Sequence, residues 1–134
     1  MAFTKTSKVR KDKYYPDEIK VIATGSAAMD ETLTPTYGDK GDTCDFDLVQ
    51  VELHLDGAAT TSENFTVTLN ANAGAAYDVV LHSVDISGED DTANVVLVAN
   101  PKASSFVKGD VIDFDFANTE TNTWGLVVTY RPRN

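Results

Sequence analysis

Sulfur and imidazole side chains are scarce in this chain. Among 134 residues there is one cysteine, Cys44, and there are two histidines, His54 and His82. A single cysteine excludes an intrachain disulfide, and three scattered Cys and His residues fall short of the usual four ligands of a structural zinc site. Their spacing also gives no sign of a Cys–His or Ser–His catalytic pair. We therefore expect no cofactor, and we interpret the three residues as a small buried thiol and two strand-surface histidines.

Long apolar runs and glycine-rich phosphate loops are also missing. No apolar segment approaches the roughly 20 residues that a membrane-spanning helix needs. The patterns GxxxxGK[ST] and GxGxxG do not occur in the sequence, so we expect no phosphate-cradling loop.

Basic residues are few, and they are concentrated at the start of the chain. The formal net charge is −10. Residues 1–20 contain six Lys and Arg against three Asp and Glu, whereas residues 21–134 contain five against eighteen. An acidic body repels nucleic-acid phosphates and anionic lipids, so we expect neither nucleic acid nor membrane as a partner.

The basic N-terminal segment, residues 1–18, is predicted to be an extended docking arm outside the folded domain. Its sizeable apolar side chains show no sustained period, and its charge favours an acidic surface on a partner or a neighbouring copy. The alternative is a solvated, poorly ordered terminus. The sizeable apolar groups are Phe3, Val9, Tyr14 and Tyr15. The predicted partner contacts are Lys8, Arg10, Lys11, Lys13, Tyr14 and Tyr15.

From residue 19 onward, apolar residues recur mostly at every second position, which is typical of half-buried β-strands. Phe65, Val67 and Leu69, for example, alternate with threonines. The alternation changes parity near residues 49–50, which indicates a β-bulge or a corner, and changes again within residues 77–86. No segment has helical periodicity over three turns, and residues 27–33 have room for one short turn at most.

The fold class predicted from this pattern is all-β, with seven to nine strands. Residues 19–134 are expected to form one antiparallel β-sandwich, and the jelly roll is the topology that the pattern favours. The predicted core contains Phe46, Leu53, Phe65, Leu69, Leu81, Ile112, Phe114, Trp124 and Leu126. For Trp124 the alternative is an exposed platform on which a carbohydrate stacks.

Carboxylates are abundant, and two groups of them are candidate calcium sites. One comprises Asp110, Asp113 and Asp115, the other Glu89, Asp90 and Asp91. A pair of carboxylates on one strand could also carry acid/base chemistry. Neither group has the alternating-ligand loop of a calcium-binding DxDxDG motif. We therefore interpret both as solvated acidic surfaces and expect no required metal.

Two long stretches carry a resemblance to a known class of proteins. They are LVQVELHLDGAATTSENFTVTLNANAGAAYDVVLHSVDIS at 48–87 and FVKGDVIDFDFANTETNTWGLVVTYRP at 106–132. In these stretches the chain resembles the small β-sandwich structural proteins of tailed bacteriophages. The resemblance implies a virion component without catalytic residues, of the capsid decoration, cement or head–tail accessory type.

The function expected from the residues and the resemblance is therefore non-enzymatic. The chain is expected to decorate or stabilise a bacteriophage capsid as a homo-oligomer, in contact with other virion proteins such as the major capsid protein. Its expected location is the virion, after synthesis in the cytoplasm of the bacterial host. The alternative is a carbohydrate- or receptor-binding module of a tail fibre or spike. A small hydrolase with carboxylates on a sandwich face is the third possibility.

Overall fold

The structure is a computed structural model, which describes residues 3–9, 18–37, 41–87, 93–96 and 105–133. These residues are almost entirely β, as predicted, with one 3₁₀ turn at Ala75–Tyr77. The strands are β1 (Thr4–Val9), β2 (Glu18–Gly25), β3 (Met29–Leu33), β4 (Thr36–Tyr37), β5 (Asp42–Thr43), β6 (Asp45–Leu55), β7 (Asn64–Asn70), β8 (Val79–Asp85), β9 (Ala93–Val96), β10 (Ser105–Phe106), β11 (Val111–Phe116) and β12 (Trp124–Arg133).

The longer strands form two antiparallel sheets. Sheet A has the order β1-β2-β12-β6-β10, and β9 pairs with β6 farther along the same strand. Sheet B has the order β3-β11-β7-β8, and β4 and β5 form a separate two-stranded ribbon. The two sheets pack against each other, so the predicted all-β antiparallel sandwich is confirmed.

The core lies between the facing sides of the two sheets. Each strand contributes its alternate residues, such as Phe65 and Val67 of β7 and Ile112 and Phe114 of β11, all of which are 0% exposed. Seven of the nine predicted core residues are buried, and the other two, Leu69 and Leu81, are half-buried and pack against the same cluster.

A β-bulge lies where the sequence changes parity in β6. Gln50 pairs with Thr129 and Leu48 pairs with Tyr130, so Val49 has no residue opposite it. The extra residue returns the apolar side chains of the next segment to the inner face. The predicted irregularity near residues 49–50 is therefore confirmed. A second register shift, at Leu81 of β8, accounts for the parity change within residues 77–86.

Residues 27–33 were expected to form at most one short helical turn, and they form no helix. Residues 29–33 are strand β3, which the sequence did not predict and which pairs with β11 along its whole length. Met29, Glu31 and Leu33 face the interior, while Asp30 and Thr32 face solvent. The charged residue at the central inward position hides the apolar alternation, so the sequence pattern alone does not reveal the strand.

Trp124 closes one end of the core against a glycine of the neighbouring strand. The side chain is 3% exposed, and its indole Nε1 donates a hydrogen bond to the carbonyl of Ala27 at 2.9 Å. Gly25 is its register partner, and a Cβ there would lie 2.7 Å from the indole Cζ2. The core position predicted for Trp124 is confirmed, and a buried ring is not available to stack on a carbohydrate.

This contact makes Gly25 a position where an added methyl group should be costly. Gly25→Ala should lower the free energy of unfolding by about 1–3 kcal/mol, the usual cost of overpacking a core. Gly125→Ala is the matched control, because a Cβ there meets only the His54 Cβ at 3.9 Å. The control should be neutral or stabilising by about 0.4–1 kcal/mol. Equal effects of the two variants in urea unfolding would contradict this packing.

Candidate interaction surfaces

Part of the predicted N-terminal arm is a strand of sheet A. Residues 4–9 form β1, which pairs antiparallel with residues 18–22 of β2 and has a register irregularity between Lys5 and Ser7. The structure thus differs from the expectation that residues 1–18 stand apart from the sandwich. Backbone pairing with an open strand edge requires no apolar period in the added strand, and so the sequence TKTSKV gives no strand signal.

The six predicted partner contacts lie mostly outside the described residues. Lys8 belongs to β1, where it pairs with Ile19 of β2. The rest of the set, Arg10, Lys11, Lys13, Tyr14 and Tyr15, falls in residues 10–17, which the structure does not describe. Their role in binding a partner stays a prediction.

Phe3 connects the N-terminal segment to the core. Its ring packs edge-on against the Phe114 ring, with the centroids 5.7 Å apart and an interplanar angle of 70°. It also borders a cleft of about 300 Å³, whose walls include Val21, Leu33 and Tyr130. Sequence reasoning placed Phe3 among the apolar groups of the arm and did not predict this aromatic anchor.

Removal of the Phe3 ring should therefore reduce stability. Phe3→Ala should lower the free energy of unfolding by about 1–2 kcal/mol, less than the roughly 3–5 kcal/mol typical of a fully buried phenylalanine, because the ring is half-buried. Phe3→Leu, the control, keeps most of the apolar volume, and its free energy of unfolding should fall by less. An unchanged midpoint of thermal unfolding for Phe3→Ala would mean that the N-terminal segment contributes nothing to the folded domain.

An acidic face, formed by Asp30, Asp113 and Asp115, covers the outer side of β3 and β11. Asp30 lies directly opposite Asp115, and Asp113 lies opposite Thr32. The Thr32 hydroxyl donates a hydrogen bond to Asp113 Oδ1 at 2.7 Å. Partial burial raises the pKa of Asp115, and the neighbouring Asp30 and Asp113 charges raise it further. Two carboxylates held side by side disfavour the ionised form of Asp115.

The raised pKa means that Asp115 weakens the folded state once it ionises. The native protein holds the Asp115 proton more tightly than the unfolded chain, so stability falls as the pH rises above the usual aspartate range. Asp115→Asn should raise the free energy of unfolding at pH 7 by about 0.2–1 kcal/mol, the range for cross-strand pairs. The gain should fade towards about pH 3, where Asp115 is protonated in both states.

Asp85 is the matched control, because its pKa is shifted in the opposite direction from that of Asp115. A hydrogen bond from Ser62, followed by hydrogen bonds from Ser87, lowers the pKa of Asp85. Its stabilising contribution is present above the usual aspartate pKa and is lost as the pH falls. Asp85→Asn should therefore lower the melting temperature at pH 7. Melting temperatures of Asp115→Asn and Asp85→Asn between pH 3 and pH 7 test both predictions. If the two melting temperatures shift in the same direction from the wild type at pH 7, this account is contradicted.

The candidate calcium ligands do not converge on one point. Asp110 is 5% exposed and accepts hydrogen bonds from the backbone amides of Asn72 at 2.9 Å and Val107 at 3.1 Å. Asp110 therefore links two turns through hydrogen bonds, whereas Asp113 accepts a hydrogen bond from the Thr32 hydroxyl. In the described ranges, no group of three or more His, Cys, Asp and Glu side chains is arranged to hold a metal ion. The second candidate calcium site, formed by Glu89, Asp90 and Asp91, lies outside those ranges.

Carboxylates and an amide also brace the loops at one end of the sandwich. Glu120 accepts hydrogen bonds from the backbone amides of Thr60 and Thr61, and Glu63 accepts from the backbone and hydroxyl of Thr119. The Asn118 side-chain amide donates to the carbonyls of residues 26, 27 and 122. These bonds join the β2–β3, β6–β7 and β11–β12 connections into a single polar surface, and the sequence pattern gave no signal for them.

Cys44 and the histidines do not form a nucleophilic pair. Cys44 is buried, and burial, followed by the Asp45 charge, raises the pKa of its thiol. A buried thiol with a raised pKa is a poor nucleophile at neutral pH. His54 is exposed, as expected, and its ring lies 3.5 Å from Glu52. No hydrogen bond between Cys44 and either histidine occurs in the described part of the chain.

Exposed apolar side chains gather at one edge of sheet B. Tyr77, Val79, Val80 and Val107, here called the β8 patch, are 64%, 48%, 58% and 58% exposed. A cleft of about 320 Å³ opens beside them, and its walls include Leu69, Leu81 and Phe106. Sequence reasoning missed this patch, because it treated the apolar residues of 77–86 as a strand that contributes to the core.

Comparison with models of known protein families gives no match, and no similar sequence is found among curated proteins. Within the described ranges, no helix is long and apolar enough to cross a membrane.

Proposed function

We propose that the chain is a non-enzymatic structural protein of a bacteriophage virion, which decorates or stabilises the capsid through subunit–subunit contacts. The observation that carries this proposal is the order of the strands. Strand β12 lies between β2 and β6 in sheet A, while β11 lies between β3 and β7 in sheet B. The chain thus passes repeatedly from one sheet to the other, which supports a jelly-roll topology. Viral capsid proteins and lectins are among the classes in which double-sheet jelly rolls recur.

The surfaces favour a binding role over chemistry. An acidic body combined with a basic N-terminal segment gives each copy two surfaces of opposite sign, which suits contact with neighbours in a shell. The proposed partners are further copies of the chain and other virion proteins such as the major capsid protein. Because the acidic face would repel phosphates, neither nucleic acid nor membrane is proposed as a partner. The proposed location is the virion, after synthesis in the host cytoplasm.

Quantitative mass spectrometry of purified virions tests the proposal directly. A capsid decoration protein should be present on the order of hundreds of copies per particle, because the symmetry of a shell repeats each site. A dozen copies or fewer would assign the chain to the tail or a fibre. Absence from purified particles would overturn the virion role.

A charge-reversal variant tests the predicted N-terminal contacts. Changing Arg10, Lys11 and Lys13 together to Glu should weaken binding to purified capsids about tenfold, at roughly 0.2–1 kcal/mol per exposed contact. The effect should shrink at high salt, and the melting temperature should stay the same. Lys108→Glu is the control for a change of net charge elsewhere on the surface. Equal binding by the triple variant and the wild type would remove these residues from the interface.

The second candidate function is a carbohydrate- or receptor-binding module of a tail fibre or spike. It is favoured by Tyr77, an aromatic side chain of the β8 patch that is 64% exposed. Such a ring could stack on a sugar face. A glycan array distinguishes the candidates, because specific binding that Tyr77→Ala abolishes would favour this function over capsid decoration.

A further inference from the structure

The exposed edges of the two sheets are protected unequally against pairing with another strand. Natural proteins protect such edges with lysines, inward-pointing charges or very short strands. Among the described residues, the outer strands of sheet A are β1, which contains two lysines, and the short strands β10 and β9, which have two and four residues. At one edge of sheet B, β3 carries the inward-facing Glu31. The other edge is β8, seven residues that include no lysine, arginine or proline.

The side chains along β8 are suited to contact with another protein. Val80 is 58% exposed and pairs with Thr68 on the outer face of the sheet, while Val79 is 48% exposed and borders the apolar cleft. Tyr77 precedes the strand and is 64% exposed. Large side chains that stay in water on both sides of an edge strand would gain free energy from a partner that covers them.

The charge on the outer face of sheet B changes from one edge to the other. The acidic face lies on β3 and β11, whereas the outer residues of β7 and β8 include Thr66, Thr68 and Ser83. With strands about 4.8 Å apart, β11 lies roughly 10 Å from β8, beyond the Debye length of about 8 Å at physiological ionic strength. Two carboxylates flank the strand: Asp78 accepts a hydrogen bond from the Ala71 amide, and Asp85 accepts hydrogen bonds from Ser62 and Ser87. The β8 edge is therefore the place where two acidic bodies could meet with the least repulsion.

We propose that the β8 strands of two copies pair antiparallel across a two-fold axis, so that the two B sheets become one continuous sheet. This inference rests on the homo-oligomer part of the proposed function. A two-fold axis places the same edge on both sides, as an isologous interface requires, and keeps the acidic faces of β3 and β11 at the far ends of the joined sheet. A basic partner, in contrast, would be drawn to β3 and β11.

A lysine placed on this edge should prevent the pairing without unfolding the domain. Sedimentation velocity of the wild-type chain should show a species of twice the 14.5 kDa of one chain as concentration rises. Val80→Lys should weaken that association at least tenfold, because it adds a charge to the exposed edge. Tyr37→Lys is the matched control: Tyr37 is 46% exposed in the β4–β5 ribbon, and its replacement should leave the association unchanged. Both variants should melt within a few degrees of the wild type.

Hydrogen exchange supplies a readout that does not depend on a variant. Backbone amides of β8 should exchange more slowly at high protein concentration, while those of β1 and β3 should not change. A wild-type chain that stays monomeric from about 1 µM to 1 mM, protection at β3 instead of β8, or equal weakening by both variants would each overturn the proposal. A monomer that is nevertheless abundant in virions would reject the edge pairing alone, whereas a β8 dimer that is absent from virions would reject only the virion role.

Discussion

The rest of the structure depends on the pairing of β6 with β12 in the middle of sheet A. These are the longest strands, and they pair from Trp124 opposite Leu55 to Arg133 opposite Asp45. If the register of these ten residue pairs slipped by one residue, every side chain of the slipped strand would move to the opposite face. The bulge at Val49 keeps the apolar residues on both sides of it turned inwards. Sheet B packs against the inner face that this register creates, Trp124 of β12 contacts Gly25 of β2, and Phe3 packs against Phe114 of sheet B.

A core built in this way leaves the edges and outer faces free to differ from one another. One edge of the sandwich is covered by β1 and Phe3, one outer face carries the carboxylates of Asp30, Asp113 and Asp115, and the opposite edge carries the exposed Val79 and Val80. The raised pKa of Asp115 means that its ionised carboxylate lowers stability, and Val79 and Val80 of β8 remain about half exposed in the folded chain. Side chains that do not contribute to folding, arranged on separate surfaces, fit a protein that is held between neighbours, and this is why we favour a structural role in an assembly.

The sequence predicted the fold class and most of the core because inward and outward residues alternate so regularly. It also located the bulge near residue 49, where the alternation itself changes parity. It failed at β3, because the inward-facing Glu31 interrupts the apolar pattern, and at β1, because an edge strand paired through its backbone needs no pattern. The β8 patch was missed for a different reason: apolar residues in a strand look the same in the sequence whether or not another layer covers them. The loop braces made by Glu63 and Glu120 join residues far apart in the chain, which a local pattern cannot reveal.

The central claim, that this sandwich acts by packing among other subunits of a capsid, is tested most directly by cryo-electron microscopy of the virion. We predict that the chain occupies symmetry-related positions on the capsid surface, with neighbouring copies or the capsid protein in contact with its N-terminal segment and its β8 edge. Density for the chain only at a tail fibre tip, with the loops or Tyr77 turned outward and no contact to the shell, would contradict the account.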